Sequence, residues 1–133
     1  RIKEKFLRAT PSLRRLREKV ERVAQRRWVR GIDQRKIMIR HPHAALNTLL
    51  QGAGACVMKK ALTLLEEYVI TKRIRAFPVV NVHDEFQYEV QSDRADEFGR
   101  LAVQSIRDAG DLLNVRCPLN GEYKSGNNWS ETH

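Results

Sequence analysis

Between two strand-like runs, Phe77-Pro78-Val79-Val80-Asn81-Val82 and Phe86-Gln87-Tyr88-Glu89-Val90, the chain places His83-Asp84-Glu85. Aromatic and β-branched runs split by a short polar stretch read as a β-hairpin, here with strands at 78–82 and 86–90. The hairpin leaves the tripeptide exposed at its bend. In a chain of formal net charge +9, the simplest use for two adjacent carboxylates and a histidine is to hold a divalent metal against phosphate. A charged turn without function is the competing reading of the tripeptide alone. In extended backbone Asp84 and Glu85 point to opposite faces, so both can serve one metal only if the chain bends there. Asp84 is then the direct ligand and Glu85 an auxiliary group. Two-metal phosphoryl transfer, with ions about 3.5–4 Å apart, draws carboxylates from further segments as well.

The positive charge is uneven. Residues 1–40 hold 15 Lys and Arg against 4 Asp and Glu, whereas residues 41–133 hold 10 against 12. Such asymmetry points to a polyanion, most often nucleic acid. Arginine dominates the basic part, and its planar fork suits phosphate; a solvated arginine-rich helix face is the bland alternative. A chain of 133 residues is one domain's worth or part of a larger one. No apolar run approaches the ~20 residues of a membrane span, and the charged N-terminal helix is not a signal peptide. Cys56 and Cys117 lack ligand-spaced partners, which argues against zinc and for reduced thiols in a cytoplasmic protein.

The pattern predicts an α+β arrangement, with helices packed on one side of a small antiparallel sheet that includes the His-Asp-Glu hairpin. Residues 1–133 read as a single partial domain: basic helices over 1–27, a basic hairpin over 28–40, and the remainder over 41–133. A short helix at 2–9 precedes one that Thr10 caps and Pro11 opens. This second helix runs to about Arg27, with Leu13, Leu16, Val20 and Val23 as its apolar stripe. Trp28–Arg30 and Lys36–Arg40 form cation-bearing strands. Pro42 opens the longest helix, to Thr71 or Lys72. Gly52 and Gly54 weaken it, for close helix packing or for close approach of a ligand or strand. Ser92-Asp93 caps a helix to about Leu113, and Val115–Tyr123 reads as a last edge strand interrupted by Pro118. Trp129 would anchor a polar tail.

On the long helix His43, Asn47 and Gln51 fall four residues apart, in one row. Each can donate and accept hydrogen bonds. In the minor groove every correct base pair offers acceptors at nearly the same places, so such a row can test pair geometry without reading sequence. A solvent-facing polar stripe is the alternative. A metal-dependent nuclease would need a second carboxylate cluster. Its only candidates, Asp93, Asp96 and Glu97, look like the acidic first turn of a helix.

The blocks Pro42 to Ala55, Val82-His83-Asp84-Glu85 and Asn128-Trp129 near His133, with Phe6 to Pro11 and Trp28 to Lys36 upstream, resemble the C-terminal palm region of family A DNA polymerases, the DNA polymerase I family. The likeness is greatest to phage-type replicative members, and it covers nearly the whole chain. It implies a DNA-directed DNA polymerase palm. Asp84 and Glu85 would be metal residues for Mg2+, and His83 would lie near the primer end. His43, Asn47 and Gln51 would contact the template–primer DNA, with Arg30, Arg35 and Lys36 near duplex backbone.

The chain also departs from that family. It carries no Asp-Tyr-Ser-like strand with a second catalytic aspartate, and no helix to grip a nucleotide triphosphate. Gln34 replaces the usual glycine, and Cys56 replaces an aspartate common in bacterial members. The resemblance therefore implies a fragment inactive alone, which meets deoxynucleotide triphosphates only with the missing fingers and palm segment. Its hairpin should lack a neighbouring strand, implying a complementing polymerase chain or self-association. The implied location is the cytoplasm of a bacterium or of a phage-infected or prophage-bearing cell. The alternative is a non-catalytic basic module that binds duplex DNA.

Overall fold

A computed structural model describes residues 2–132, apart from the side chain of Lys3; His133 lies outside the described residues. The chain divides into two compact units, residues 1–53 and 54–133.

The first unit holds helices α1 (Ile2–Ala9) and α2 (Pro11–Ala24) and the antiparallel strands β1 (Trp28–Arg30) and β2 (Lys36–Met38). It also holds a 3-10 turn, Pro42–Ala44, and the start of α3 (Ala45–Lys72). Pro11 opens α2 as expected, but Thr10 does not cap it with its side chain. Its hydroxyl donates instead to the Phe6 carbonyl at 2.8 Å. The local bond to the preceding turn wins over the cap. α2 ends at Ala24, short of Arg27, because Arg27 turns left-handed at φ 65° and its carbonyl accepts the Ile39 N–H at 2.9 Å. That bond ties helix to hairpin. Val20, Ala24, Val29, Ile39 and Ala45 form the core, with Val23, Ile37, Leu46 and Leu49 against it. Leu16, expected on the buried stripe, is 42% exposed.

The turn of this hairpin is closed by Gly31 N–H to the Arg35 carbonyl at 2.9 Å and Gln34 N–H to the Gly31 carbonyl at 3.0 Å. Gln34 sits at φ 68°, a left-handed backbone that favours glycine. Gly52 is explained by packing: a methyl group there would lie 3.2 Å from Ile37 Cδ1. Gly54 faces open space among the described residues.

The second unit contains the rest of α3, strands β3 (Ala76–Val82) and β4 (Glu85–Val90), and helix α4 (Ala95–Leu112). β3 and β4 pair antiparallel in register from Ala76↔Val90 to Val82↔Glu85, with an extra residue accommodated between Pro78 and Val80. The antiparallel pairing is therefore two separate two-stranded sheets. Leu65, Val69, Ile74, Phe98 and Ala102 form one core cluster, against which Phe86, Tyr88 and Val90 pack. Val57, Ala61, Leu64 and Ala109 form another. The Tyr68 hydroxyl donates to Asp108 Oδ2 at 2.5 Å, tying α3 to α4. That bond, followed by burial, raises the Tyr68 pKa to about 12.

Ser92-Asp93 makes a 3-10 turn before α4 without a side-chain cap on it; Asp93 accepts from Gln91 Nε2 at 3.2 Å instead. α4 closes with Asn114 left-handed at φ 54° and Val115 N–H on the Gly110 carbonyl at 2.9 Å, a C-terminal cap of the kind that satisfies orphan carbonyls. Residues 115–123 are not a strand. They lie on α4, where side chains rather than a backbone ladder hold them. A methyl group at Gly99 would stand 2.2 Å from the Tyr123 ring, and Leu119 covers Gly110 in the same way. Arg107 Nε and Nη2 both donate to Asn120 Oδ1, at 3.1 and 2.9 Å. An apolar period without a sheet edge to join was satisfied by two glycine notches in a helix. Trp129 is 68% exposed rather than a buried anchor. Among the described residues no helix is long and apolar enough to cross a membrane.

Candidate active site and nucleic-acid interface

Val82 and Glu85 are the last pair of the β3–β4 ladder, so His83 and Asp84 alone form the turn. Two-residue hairpin turns need positive φ, and His83 supplies it at 55°. The backbone thus bends where the sequence required it to. Asp84 projects from the tip, whereas Glu85 already belongs to β4. All three side chains are exposed.

Pairing register assigns the faces. Phe86 and Tyr88 stand opposite Asn81 and Pro78, toward the core, while Glu85, Gln87 and Glu89 stand opposite Val82, Val80 and Phe77 on the outer face. The Gln87 amide donates to Glu85 Oε1 at 2.6 Å. The outer face is therefore half acidic and half apolar. On β3, Phe77 is 58% and Val79 67% exposed. A shallow groove of about 400 Å³ lies between this strand and α3, lined by Leu62, Thr63 and Glu66 from the helix and Pro78, Val79 and Val80 from the strand. Burial first, then the charge of Glu66, raises the Tyr88 pKa.

Asp84, Glu85 and His83 do not make a metal centre unaided. Among the described residues no group of three or more His, Cys, Asp or Glu side chains is placed to hold a metal ion. Oxygen donors suit Mg2+, which is commonly bound through only one or two carboxylates plus water and phosphate. The pair fits as one side of such a site. The carboxylates at the start of α4 are engaged elsewhere. Glu97 pairs with Arg94 at 2.6 Å and Asp96 with Arg100 at 2.6 Å, and the Tyr123 hydroxyl donates to Asp96. The Arg94 hydrogen bond holds the Glu97 carboxyl below its ordinary pKa. These bonds leave the nuclease reading without a second cluster.

In the first unit, Asn47 and Gln51 are exposed one turn apart on α3. His43 is exposed too, but it belongs to the 3-10 turn, where its ring stacks on His41 with centroids 5.5 Å apart. The expected row of three is thus a helical pair with a histidine stack ahead of it. The hairpin cations are held locally. Arg30 Nη1 donates to the Gln34 carbonyl at 3.2 Å, Arg35 pairs with Asp33, and Lys36 Nζ stands 5.0 Å from the Trp28 ring centroid. On α2, Arg14 pairs with Glu18 at 2.9 Å and Arg17 with Glu21 at 2.8 Å. The four-residue spacing of these pairs is legible in the sequence, as is the two-residue step from Glu85 to Gln87.

Comparison with known proteins converges on one family. The sequence model of DNA polymerase family A matches residues 3–131. The DNA-directed DNA polymerases of Enterobacteria phage T3 and Escherichia phage T7 are each 35% identical, over 155 and 158 residues, covering 99% of this chain and 22% of those proteins. DNA polymerase I of Bacillus caldotenax is 26% identical over 139 residues, covering 95% of the chain and 16% of that protein. The chain spans about a fifth of the length of the curated phage relatives it matches. In structure it is similar to the POL domain of Pol1 from M. smegmatis, solved in complex with DNA primer-template and dNTP. The TM-score is 0.73 at 20% identity, over 80% of this chain and 21% of that one. The expected mix of helices and small antiparallel sheets is thus the fold of a polymerase domain, and the chain belongs to DNA polymerase family A.

Proposed function

We propose that the chain is the C-terminal palm portion of a DNA-directed DNA polymerase, and that the His83-Asp84-Glu85 turn is one arm of its two-metal site. The observation that carries this reading is the turn itself: a two-residue bend with His83 at φ 55° presents Asp84 at an exposed tip. Asp84 would hold Mg2+, with Glu85 beside it and His83 toward the primer end. When bound, such ions polarise phosphoryl oxygens and stabilise charge on the attacking and leaving oxygens. The second carboxylate segment and the nucleotide grip lie outside this sequence, so the isolated chain is inactive.

Template–primer DNA is the partner of the first unit. Asn47 and Gln51 offer amide forks to the minor groove, with His43 alongside, and Arg30, Arg35 and Lys36 meet phosphates. Deoxynucleotide triphosphates bind only with the remaining polymerase segments. The exposed apolar residues of β3 support completion of its edge by a strand from a complementing polymerase segment; self-association of the isolated chain in sedimentation would be the competing use of that edge. The protein would act in the cytoplasm of a bacterium or of a phage-infected or prophage-bearing cell.

Asp84→Asn tests the reading. In the complete polymerase it should abolish primer extension and leave duplex affinity within about twofold. Undiminished extension would refute it, and unchanged function with intact binding would favour the duplex-binding module.

A further inference from the structure

We propose that four exposed cations of α2 and the turn after it, Arg15, Lys19, Arg22 and Arg26, form a second track for duplex DNA, gripping phosphates beyond those met by the β1–β2 hairpin. This is independent of the metal site and rests only on the reading that the first unit meets duplex DNA. Residues 5–32 carry ten Lys and Arg against two carboxylates, Glu18 and Glu21. Both carboxylates are engaged, by Arg14 at 2.9 Å and by Arg17 at 2.8 Å. Neither pair includes the four cations of the track, and all four are exposed.

They also line up. At 3.6 residues per turn, steps of four, three and four residues keep them within about 60° of one another around the axis. Arg26 follows the end of α2, but its N–H bonds to the Val23 carbonyl at 3.1 Å, so the turn continues the row. Val20 and Ala24, the buried residues of the helix, lie roughly opposite, so the row faces away from the core. At 1.5 Å per residue the row is about 16 Å long, the rise of roughly five base pairs. At one end Arg26 stands four residues before Arg30 of the hairpin. At the other, Arg15 and Arg8 line a shallow groove of about 380 Å³ between α1 and α2, where Glu18 is already neutralised by Arg14.

Evenly stepped charges suit an evenly stepped anion. Three of the four are arginines, whose forks suit phosphate. The chain has no aromatic residue between Phe6 and Trp28, so the row lacks the stacking platforms on which single strands are bound. It likewise lacks the apolar or aromatic centre typical of a protein interface. A duplex offers its phosphates in fixed array and needs neither.

The test is duplex binding by the complete polymerase polypeptide that carries this chain. Arg15→Gln, Lys19→Gln, Arg22→Gln and Arg26→Gln are combined, and affinity for blunt duplexes of increasing length is followed by fluorescence anisotropy over a salt series. Each phosphate contact contributes about 0.9 to the slope of log affinity against log salt. The parent protein should gain affinity as roughly five base pairs are added to the shortest duplex it binds. The quadruple variant should lose that gain, with the slope reduced by about three to four. Arg15→Lys with Arg22→Lys and Arg26→Lys keeps every charge and should keep the slope within about one; a loss of equal size there would overturn the proposal. So would a quadruple variant with unchanged slope, a gain that follows an added single-stranded overhang instead of added base pairs, or a loss confined to binding of a deca-glutamate peptide. Arg30→Ala with Lys36→Ala assayed alongside separates the two levels. If it leaves duplex affinity unchanged, the duplex reading of the first unit falls and the track with it; if it weakens binding while the quadruple variant does not, only the track is wrong.

Discussion

The two hairpins of this chain share a plan and differ in chemistry. Each is a two-stranded antiparallel sheet packed on helix through one face, and each carries one non-glycine residue at positive φ, Gln34 in the first and His83 in the second. The first has cations along its strands and satisfies them with its own groups: Gln34, Asp33 and the Trp28 ring. The second has no cation in either strand. It shows apolar residues along β3 and carboxylates along β4 and at its tip. Backbone architecture therefore does not separate these elements; what differs is the sign of the charge each carries. Cations tethered by short contacts are suited to lying along a phosphate backbone, whereas Asp84 at a bend is suited to a cation.

The sharpest way to break this contrast is to exchange the losses. Asp84→Asn should cut primer extension by the complete polymerase by at least roughly a hundredfold, on the scale seen when a charge-stabilising group is removed from an active site. It should leave duplex binding intact. Arg30→Ala with Lys36→Ala should do the reverse, lowering duplex affinity and reducing the salt dependence of binding by up to about two phosphate contacts. Arg35→Ala should add less, since Asp33 already balances that charge. If all these changes weakened binding alike, the division of labour would fail.

A second contrast is steric. Gly99→Ala sets a methyl group into the Tyr123 ring and should cost about 1–3 kcal/mol, seen as a lower melting temperature. In a Tyr123→Ala background the extra cost should vanish. In the first unit, Gly52→Ala meets only the end of the Ile37 side chain at 3.2 Å, and should cost less.

Alkaline pH gives a third. Tyr68, Tyr88 and Tyr123 all have pKa values raised above the ordinary tyrosine range, Tyr68 to about 12 through its bond to Asp108. A raised value means that folding favours the protonated phenol. The stability this contributes is complete below pH 10 and is lost as pH rises toward 12. All three tyrosines lie in the second unit, so its hydrogen-exchange protection should fall first over that interval. Tyr68→Phe should flatten the dependence; a pH-independent profile from 10 to 12 would contradict these assignments.

The smallest effects are at the two left-handed turn residues. Gln34→Gly and His83→Gly should each relieve strain worth about 1 kcal/mol or less in urea unfolding. Only His83→Gly should impair extension.

Much of this was legible before any coordinates. Pro42 opens a 3-10 turn and the long helix itself starts at Ala45, three residues later than expected; polar breaks between β-branched runs mark both hairpins. These are local signals, and the local structure obeys them. The misreadings have a common cause. Val115–Tyr123 carries enough apolar residues for a strand, but whether such a segment joins a sheet depends on what lies beside it. Here the neighbours were glycine notches on α4, Gly110 under Leu119 and Gly99 under Tyr123. Thr10 and Asp93 have capping side chains but bond elsewhere, Thr10 to a carbonyl one turn back and Asp93 to the Gln91 amide two residues back. At the site, the residue types and the bend were readable. That Glu85 is tethered to Gln87 required the pairing register and the rotamers.

The tail that lies on α4 also sets how the chain tolerates shortening. Losing residues after Tyr123 takes away the small turn at 129–131 and leaves α4 sheathed. Losing Tyr123 as well bares the Gly99 notch, and passing Leu119 bares Gly110 and part of an apolar cluster. A stop codon moved back along this stretch would thus meet a threshold rather than a slope, and the threshold is Tyr123.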